Sequence, residues 1–271
     1  MRISILGCGW FGQALAKSLI NNGNQVNGSV TTDEKFDQLR YMGISPYLVK
    51  LGEEGFKPEP GFFSCDILVI SIPPRSRSGQ GESYLLKLGA IVNSLVQYGI
   101  KKVIYISSTG VYGEHNRRVT ELDEPLPDSA SGQILLDAER LFSKQTEFKT
   151  TIIRFGGLIG PGRHPGRFFA GRTEIPNGRA PVNMIHQSDA VGITETFIAN
   201  DLFGYTVNAC APDHPEKSAF YPFMASRGGY PLPQFIDELQ QWKLVGSVYL
   251  KPLLNSQFKI AAWNQYPPGT V

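Results

Sequence analysis

The residues best suited to chemistry follow an apolar run in the middle of the chain. Residues 102–106 are predicted to form a buried strand, and the hydroxyl side chains of Ser107, Ser108 and Thr109 come directly after it, with Tyr112 close behind. Parallel sheets bind ligands at the carboxyl ends of their strands, so these side chains are well placed to contact one. We predict that Ser108 orients a reacting hydroxyl or carbonyl group and that Tyr112, the nearest phenol, is catalytic. Ser107 is predicted to contact a cofactor and Thr109 a substrate.

A second chemical motif lies near residue 1, where a predicted strand over 3–6 leads into Gly7-Cys8-Gly9-Trp10-Phe11-Gly12 and a helix over 13–19. This G-x-G-x-x-G spacing at a strand-to-helix junction is typical of dinucleotide-binding turns. Gly7 allows the tight turn, Gly9 lets the backbone approach a pyrophosphate, and Gly12 lets the helix pack on its strand. The helix N-terminus and its dipole favour an anion there. We therefore predict that all six residues of the turn bind NAD or NADP.

The residues after the second predicted strand, at 25–30, bear on the choice between these dinucleotides. An NAD-binding fold usually has an acid at this strand end, which binds the ribose 2′-hydroxyl. Here Thr31 and Thr32 occupy the strand end, and Asp33 comes late and is predicted to cap the next helix. Threonine hydroxyls with Lys35 nearby suit a 2′-phosphate, so we predict NADP over NAD. The alternative is that the threonines only finish the strand.

The composition excludes several classes of protein. The 271 residues are 41% hydrophobic and 18% charged, and the net charge of +2 gives no case for nucleic-acid binding. No apolar run reaches the length of a membrane span, and residue 2 leads into a predicted core strand rather than a targeting segment. The three cysteines lie far apart without C-x-x-C spacing, so we expect a cytoplasmic protein without a metal site.

Strands and helices are predicted to alternate over the first 155 residues. Further strands are expected at 47–51, 67–72 and 151–155, and further helices at 34–41, 84–98 and 132–142. This alternation indicates βαβ units and an α/β fold with a doubly wound (Rossmann) parallel sheet. Ile72, Pro73 and Pro74 end a strand at the ligand-binding edge, so we predict that they contact the cofactor.

The pattern breaks up beyond residue 160, where glycine, proline and arginine become frequent. We therefore predict an NAD(P)-binding domain over residues 1–160, with elements returning to it at about 182–210. Residues 161–181 and 211–271 are predicted to form a small substrate-binding lobe, with an extended end that begins at Tyr266.

Three motifs, taken in order, are shared with a known family. Ser108 lies four residues before the Tyr of Val111-Tyr112-Gly113. Residues 154–163 (R-F-G-G-L-I-G-P-G-R) resemble the pattern R-x-x-x-x-Y-G-P-G-R, with Ile159 at the Tyr position, and residues 183–189 (N-M-I-H-Q-S-D) match N-x-I-H-x-x-D. The chain thus resembles the extended short-chain dehydrogenase/reductases, the NAD-dependent epimerase/dehydratase family. The resemblance implies hydride exchange with a nicotinamide cofactor and a phosphorylated or nucleotide-linked small-molecule substrate.

The helix after these hydroxyls departs from the family pattern. The family has a Tyr-x-x-x-Lys pair there, and counting back from Glu139 places Leu135 at the Lys and Ser131 at the Tyr. In the family the Lys lowers the pKa of the Tyr, which moves the proton, and neither role carries over to leucine and serine. The resemblance also implies that Tyr112 is structural. This loss, together with the first turn, is most similar to the YeeZ-like proteins, an atypical bacterial subgroup.

The remaining candidates lie in or beside the predicted lobe. Arginines are frequent between residues 163 and 179, with Arg75 and Arg77 on an earlier loop, and guanidinium groups match phosphate oxygens. Substrate contacts are predicted from Arg163, Arg167, Arg172 and Asn183. The alternative is a solvated basic face. His186 and Asp189 could form an acid/base pair, although the family uses this segment mainly to join the lobe to the sheet.

Three functions are compatible with these motifs. The first is an NAD(P)-dependent epimerase, dehydratase or reductase whose acid/base is not identified. The second is a dinucleotide-binding sensor or regulator without redox turnover, which the loss of Tyr and Lys favours. The third is a reductase that uses another proton donor on a non-sugar substrate. The family often dimerises through the helices predicted at 84–98 and 132–142, so a homodimer is implied as well.

Overall fold

A seven-stranded sheet of short, buried strands forms the centre of the fold. The computed structural model describes residues 1–51, 59–74, 81–254 and 258–266. The strands are β1 (Arg2–Leu6), β2 (Gln25–Val30), β3 (Ser45–Leu48), β4 (Ile67–Ile70), β5 (Lys102–Ser108), β6 (Arg117–Val119), β7 (Lys149–Phe155), β8 (Gly157–Ile159), β9 (Met184–His186), β10 (Thr206–Ala209) and β11 (Lys243–Val245). The helices are α1 (Trp10–Asn21), α2 (Phe36–Tyr41), α3 (Pro60–Phe63), α4 (Gly81–Gln97), α5 (Ala130–Ser143), α6 (Gln187–Ala199), α7 (Lys217–Arg227) and α8 (Leu250–Leu254).

The strand order confirms the predicted doubly wound Rossmann fold. The order is β10-β7-β5-β4-β1-β2-β3. β1 pairs in parallel with β2 and β4, β2 pairs with β3, and β4 pairs with β5. All four residues of β4 are buried, as expected for a strand covered on both faces. The chain runs outward from β1 to β3 and then crosses to β4, so the strand order reverses between β1 and β4. Sheets of this kind bind ligands at that point.

Contacts within the chain define two units. The first comprises Met1–Ser107, Ser129–Arg154 and Thr194–Thr206, and the second comprises Ser108–Asp128, Phe155–Ile193 and Val207–Val271. The second unit therefore includes residues 108–128 and 155–160, which the sequence places in the predicted first domain.

Each unit has its own hydrophobic core. In the first, buried residues of α4 and α5 such as Leu88, Ile91 and Phe142 pack against the central strands. In the second, Phe220 of α7 and Trp263 lie edge to face, with ring centroids 5.5 Å apart. Two parallel strand pairs, β6 with β11 and β8 with β9, belong to the second unit. Tyr266, predicted to begin an extended end, is fully buried in this core.

The region after β2 differs from the predicted elements. The single helix predicted at 34–41 is a 3-10 turn, Asp33–Lys35, followed by α2. Thr32 occupies the N-cap position of that turn and no side chain caps it, so the predicted cap at Asp33 is wrong. The strand predicted at 47–51 ends at Leu48, which leaves Lys50 beyond the sheet.

Candidate functional site

The turn between β1 and α1 is fixed to the end of β2. The Gly7 N–H donates to Ser29 Oγ at 2.8 Å, and the Cys8 N–H donates to the Ser29 carbonyl at 2.9 Å. Gly7 has φ of +92°, in the region that favours glycine. α1 then begins at Trp10, and no side chain caps it at Gly9.

The glycines of the turn meet different surroundings. A Cβ added at Gly7 would lie 2.7 Å from Ile72 Cγ2, and one added at Gly12 would lie 2.6 Å from the Gly7 carbonyl oxygen. At Gly9 an added Cβ would meet no atom within 4 Å. Gly7 and Gly12 are therefore needed for packing, whereas Gly9 presents open backbone on the surface of the turn.

The turn borders a cavity of about 700 Å³ in the first unit, at the carboxyl ends of β1 to β4. The residues that line it are Leu6, Gly7, Cys8, Gly9, Ser29, Val30, Thr31, Thr32, Lys35, Val49, Lys50, Leu51, Ser71, Ile72, Pro73, Ser83, Tyr84 and Lys87. Eight predicted cofactor contacts are among them: Gly7, Cys8, Gly9, Thr31, Thr32, Lys35, Ile72 and Pro73. The other five, Trp10, Phe11, Gly12, Pro74 and Ser107, do not line it. Phe11 and Gly12 are buried because the first turn of α1 packs on the sheet.

The charged groups of this cavity are all cationic. Lys35, Lys50 and Lys87 line it, and no acid is among the lining residues described. Within the described ranges none of these lysines has an ion-pair partner. The sequence did not single out Lys50 or Lys87. Lys50 follows β3 closely in sequence, so a position at this edge of the sheet could have been predicted for it. Lys87 lines the cavity because of the position of α4, which the sequence does not give.

A tyrosine pair closes one wall. The Tyr84 hydroxyl donates to the Ile72 carbonyl at 2.9 Å and lies 3.0 Å from the Tyr105 hydroxyl, which then donates to it. Burial raises the pKa of Tyr84 to about 12 and that of Tyr105 well above its usual value. Both phenols stay protonated near neutral pH, so they hold the segment after β4 in place and do not exchange protons there.

Ser107 has a different partner from the one predicted. Its hydroxyl donates to Glu139 Oε1 at 2.6 Å, inside the first unit. Glu139 also accepts from Arg154, whose Nε lies 3.0 Å from Oε1 and 3.2 Å from Oε2 and whose Nη2 lies 2.6 Å from Oε2. Ser107 therefore completes the hydrogen bonding of a buried ion pair, and its side chain does not face the cavity.

The hydroxyls after β5 in the second unit are largely structural. Ser108 Oγ accepts from the Gly110 N–H at 3.1 Å and caps the 3-10 turn Thr109–Val111, which leaves the hydroxyl hydrogen to donate. Thr109 is buried. Tyr112 is 1% exposed, and its hydroxyl lies 2.8 Å from the Thr120 carbonyl and 3.1 Å from Asn208 Oδ1. These contacts give Tyr112 a structural role in place of the catalytic one predicted.

The substrate contacts predicted in the second unit divide into two groups. Arg163, Arg167 and Arg172 are exposed, and the Arg172 guanidinium lies 5.4 Å from the centre of the Phe169 ring. Asn183 instead donates to the Lys243 carbonyl at 2.9 Å and accepts from the Val245 N–H at 2.8 Å. Its amide thus fixes β11 and is not available to a substrate. Arg75 and Arg77 lie outside the described residues.

His186 and Asp189 do not form an acid/base pair. His186 Nδ1 lies 2.8 Å from Ser188 Oγ, and burial lowers the pKa of this histidine. Asp189 accepts from the backbone N–H groups of Lys259 and Ile260, at 2.6 and 3.1 Å. The segment therefore anchors the chain at 258–266.

The positions of the missing Tyr-x-x-x-Lys pair lie on α5. Ser131 Oγ is 3.3 Å from Ser129 Oγ, the N-cap of the helix, and Leu135 is half-buried. Neither side chain can act as an acid or a base near neutral pH. Across the described ranges, no group of three or more His, Cys, Asp or Glu side chains could hold a metal ion. Among the helices described, none is long and apolar enough to span a membrane.

The chain is similar to known proteins in both sequence and fold. It is 38% identical over 246 residues to Protein YeeZ of Escherichia coli strain K12, which covers 89% of each chain. It matches MoeE5 in complex with UDP-glucose and NAD with a TM-score of 0.81 at 19% identity, over 100% of this chain and 97% of that one. The UDP-glucose 4-epimerase of Thermotoga maritima, solved with UDP-glucose, gives a TM-score of 0.77 at 18% identity, over 96% and 94%. No protein-family model matches. The structural likeness shows a common fold, and the 38% relative shows the family.

Proposed function

Because this chain belongs to the YeeZ-like subgroup of the extended short-chain dehydrogenase/reductases, the NAD-dependent epimerase/dehydratase family, we propose that its first unit binds NADP in preference to NAD. The turn at residues 7–12 supports this most directly, since Gly9 presents open backbone beside a cavity lined by three lysines. MoeE5, of the same fold, is described in complex with NAD. The residues present therefore fit a dinucleotide.

The preference for NADP rests on the charge of the lining. A fold that selects NAD usually offers an acid to the ribose 2′-hydroxyl, and the described lining has none. Thr31, Thr32 and Lys35 are exposed at the end of β2 and offer hydroxyls and a positive charge to a 2′-phosphate. Asp33 is exposed but does not line the cavity.

We propose a phosphorylated or nucleotide-linked small molecule as the substrate. MoeE5 and the Thermotoga maritima epimerase are described with UDP-glucose, and Arg163, Arg167 and Arg172 are exposed in the second unit. A bound nicotinamide would supply hydride exchange. Ser108 would donate its hydroxyl hydrogen to a substrate oxygen while its own oxygen remains bonded to the Gly110 N–H. We propose a non-standard acid/base for the proton transfer, because Ser131 and Leu135 stand at the usual Tyr and Lys positions.

A sensor or regulator without redox turnover is the second candidate function. It is favoured by Ser131 and Leu135 at the usual acid/base positions and by the buried phenol of Tyr112. Under either function we place the protein in the cytoplasm, where its three free thiols fit a reducing compartment.

Coenzyme binding is tested by thermal-shift titration with NADP, NADPH, NAD and NADH. Ligand at 100 times Kd should add about 2.7 kcal/mol to the free energy of unfolding. We expect a larger shift with NADP(H) than with NAD(H) at equal concentration. An unchanged melting temperature with all four would contradict the proposal.

Turnover separates the two candidate functions. The enzyme should convert nucleotide-linked sugars in the presence of NADP, followed by nicotinamide absorbance and by product analysis, because an epimerase recycles its coenzyme. Ser108→Ala should then lower kcat while leaving coenzyme affinity unchanged. Coenzyme binding without conversion across such a substrate panel would favour the sensor.

A further inference from the structure

We propose that Lys50, at the end of β3, is the residue that selects NADP over NAD, and that it binds the 2′-phosphate together with Thr32 and Lys35. This inference rests on the proposed function and adds a specificity residue that the glycine turn and the end of β2 do not reveal.

Lys50 and Thr32 follow neighbouring strands into the same cavity. β2 and β3 run in parallel with Ser29 opposite Tyr47 and Val30 opposite Leu48. The Val49 N–H donates to the Val30 carbonyl at 2.9 Å, which ties the residue before Lys50 to the end of β2. Lys50 is two residues beyond Leu48, Thr32 is two residues beyond Val30, and both line the cavity.

The Lys50 side chain is exposed at the cavity. Three consecutive residues, Val49, Lys50 and Leu51, line it. Val49 is 6% exposed and packs in the first-unit core, whereas Lys50 is exposed and is the charged residue of the three. Lys35 reaches the same cavity from the 3-10 turn after β2, so the two ammonium groups come from separate elements.

The charge of the cavity lining at Thr32, Lys35 and Lys50 suits a phosphate monoester. Such a group carries about −1.5 to −2 at pH 7 and accepts several hydrogen bonds. Two lysines and the Thr32 hydroxyl supply the matching charge and donors, with no acid in the described lining. A ribose with a free 2′-hydroxyl would leave both lysines without a charged partner, so NAD should gain little from Lys50.

Lys87 provides the matched control. It lines the same cavity but projects from α4, the helix that follows the segment after β4. If the lysines acted only by a general positive potential, removing either one would change the preference for NADP equally. If Lys50 contacts the 2′-phosphate, only its removal changes that preference.

The test measures Kd for NADPH and NADH by calorimetry on the full chain carrying Lys50→Gln, Lys87→Gln or Lys17→Gln, the last on the outer face of α1. We expect Lys50→Gln to raise the Kd for NADPH about tenfold or more and to change that for NADH less than about twofold. Lys87→Gln should shift both Kd values by the same factor, and Lys17→Gln should shift neither. Lys50→Arg should retain the preference.

Equal weakening of both coenzymes by Lys50→Gln, or an unchanged preference for NADPH, would overturn the inference while leaving dinucleotide binding intact. A wild-type protein that binds NADH more tightly than NADPH would also overturn it. A wild-type protein that binds neither coenzyme would instead overturn the proposed function. Lys50 is exposed, so unfolding curves of the variant should match the wild type and show that the fold is retained.

Discussion

Glu139 and Arg154 form an ion pair whose side chains are 4% and 7% exposed. Glu139 also accepts from the Ser107 hydroxyl, so three side chains share one buried site. Removing one partner of such a pair leaves an uncompensated buried charge, which costs far more than the loss of an exposed pair. The pair therefore matters to the stability of the first unit.

We predict that Glu139→Gln lowers the free energy of unfolding by about 3–5 kcal/mol, because the buried Arg154 guanidinium would lose the carboxylate charge that faces it. Urea denaturation of the wild type and the variant measures this. The control is Arg140→Gln, next along the helix, which breaks the exposed Arg140–Asp137 pair and should cost less than about 1 kcal/mol. Equal effects of the two substitutions would contradict the prediction.

Gly9 allows ligand binding to be changed without disturbing the packing. An added Cβ at this position meets no atom within 4 Å. We predict that Gly9→Asp raises the Kd for NADPH at least about tenfold, or about 1.4 kcal/mol, since the carboxylate would face the phosphates. Gly9→Asn has nearly the same volume without the charge and should have a smaller effect. If Gly9→Asp leaves the Kd for NADPH unchanged, the turn is not the phosphate-binding site.

The limits of sequence prediction at this scale follow from side-chain direction. The glycine spacing predicted the turn because few other conformations require glycine at both Gly7 and Gly12. The hydroxyls at the end of β5 could not be assigned in the same way. Ser107 faces the interior because its hydroxyl donates to Glu139, the buried acid that pairs with Arg154. Arg154 is distant from Ser107 in sequence, so no local pattern indicates this contact. The predicted substrate contact at Asn183 differs from the observed structural role for the same reason, because its partners are backbone groups of β11.

At the scale of elements, the buried strands were predicted best. β2 has the predicted bounds, and β4 was predicted from its continuous apolar residues, Ile67–Ile70, which are all buried. The helix predicted at 34–41 begins instead with a 3-10 turn whose residues are all exposed, so no packing demands a regular first turn there. The last part of the chain, 258–266, is held by Asp189 and Asp213, and no local pattern in its sequence reveals those contacts.

Two buried histidines and the half-buried His214 of the second unit predict a pH dependence of stability. Burial lowers the pKa of His164, with a further contribution from Arg227, and burial is the largest effect at His186 and His214 as well. Asp189 partly offsets the effect at His186, and Lys259 adds to it. Between these lowered values and about 6.5 the unfolded chain binds more protons than the folded chain, so the free energy of unfolding rises with pH.

We therefore expect the free energy of unfolding to fall as the pH is lowered from 7.5 to 5.5. Urea denaturation across this range measures it, and His186→Asn should reduce the dependence. Asp123 and Glu147 have lowered pKa values and titrate below this range, so they should not obscure it. His115→Gln, on an exposed loop, serves as the control. A free energy of unfolding that stays constant from pH 7.5 to 5.5 would contradict the prediction, because it would mean that unfolding takes up no protons on these histidines.

At the scale of the whole molecule, α4 and α5 of the first unit border a groove of about 950 Å³. Leu86, which lines it, is 76% exposed. We propose that a second copy of the chain covers this groove. Leu86→Glu should then convert a dimer into a monomer in size-exclusion chromatography with light scattering. Leu239→Glu, at an exposed position in the second unit, should leave the mass unchanged, and a monomeric wild type would contradict the proposal.

Cys8 lies inside the glycine turn, yet its side chain is 2% exposed. A Cβ added at Gly28 would come within 2.9 Å of its sulphur, so the thiol occupies the space that this glycine leaves, and burial raises its pKa to about 12. Alkylating reagents attack thiolates at accessible sites, so iodoacetamide can modify Cys8 only while the glycine turn is open. The rate of that modification, followed by mass spectrometry, would report how often the turn opens.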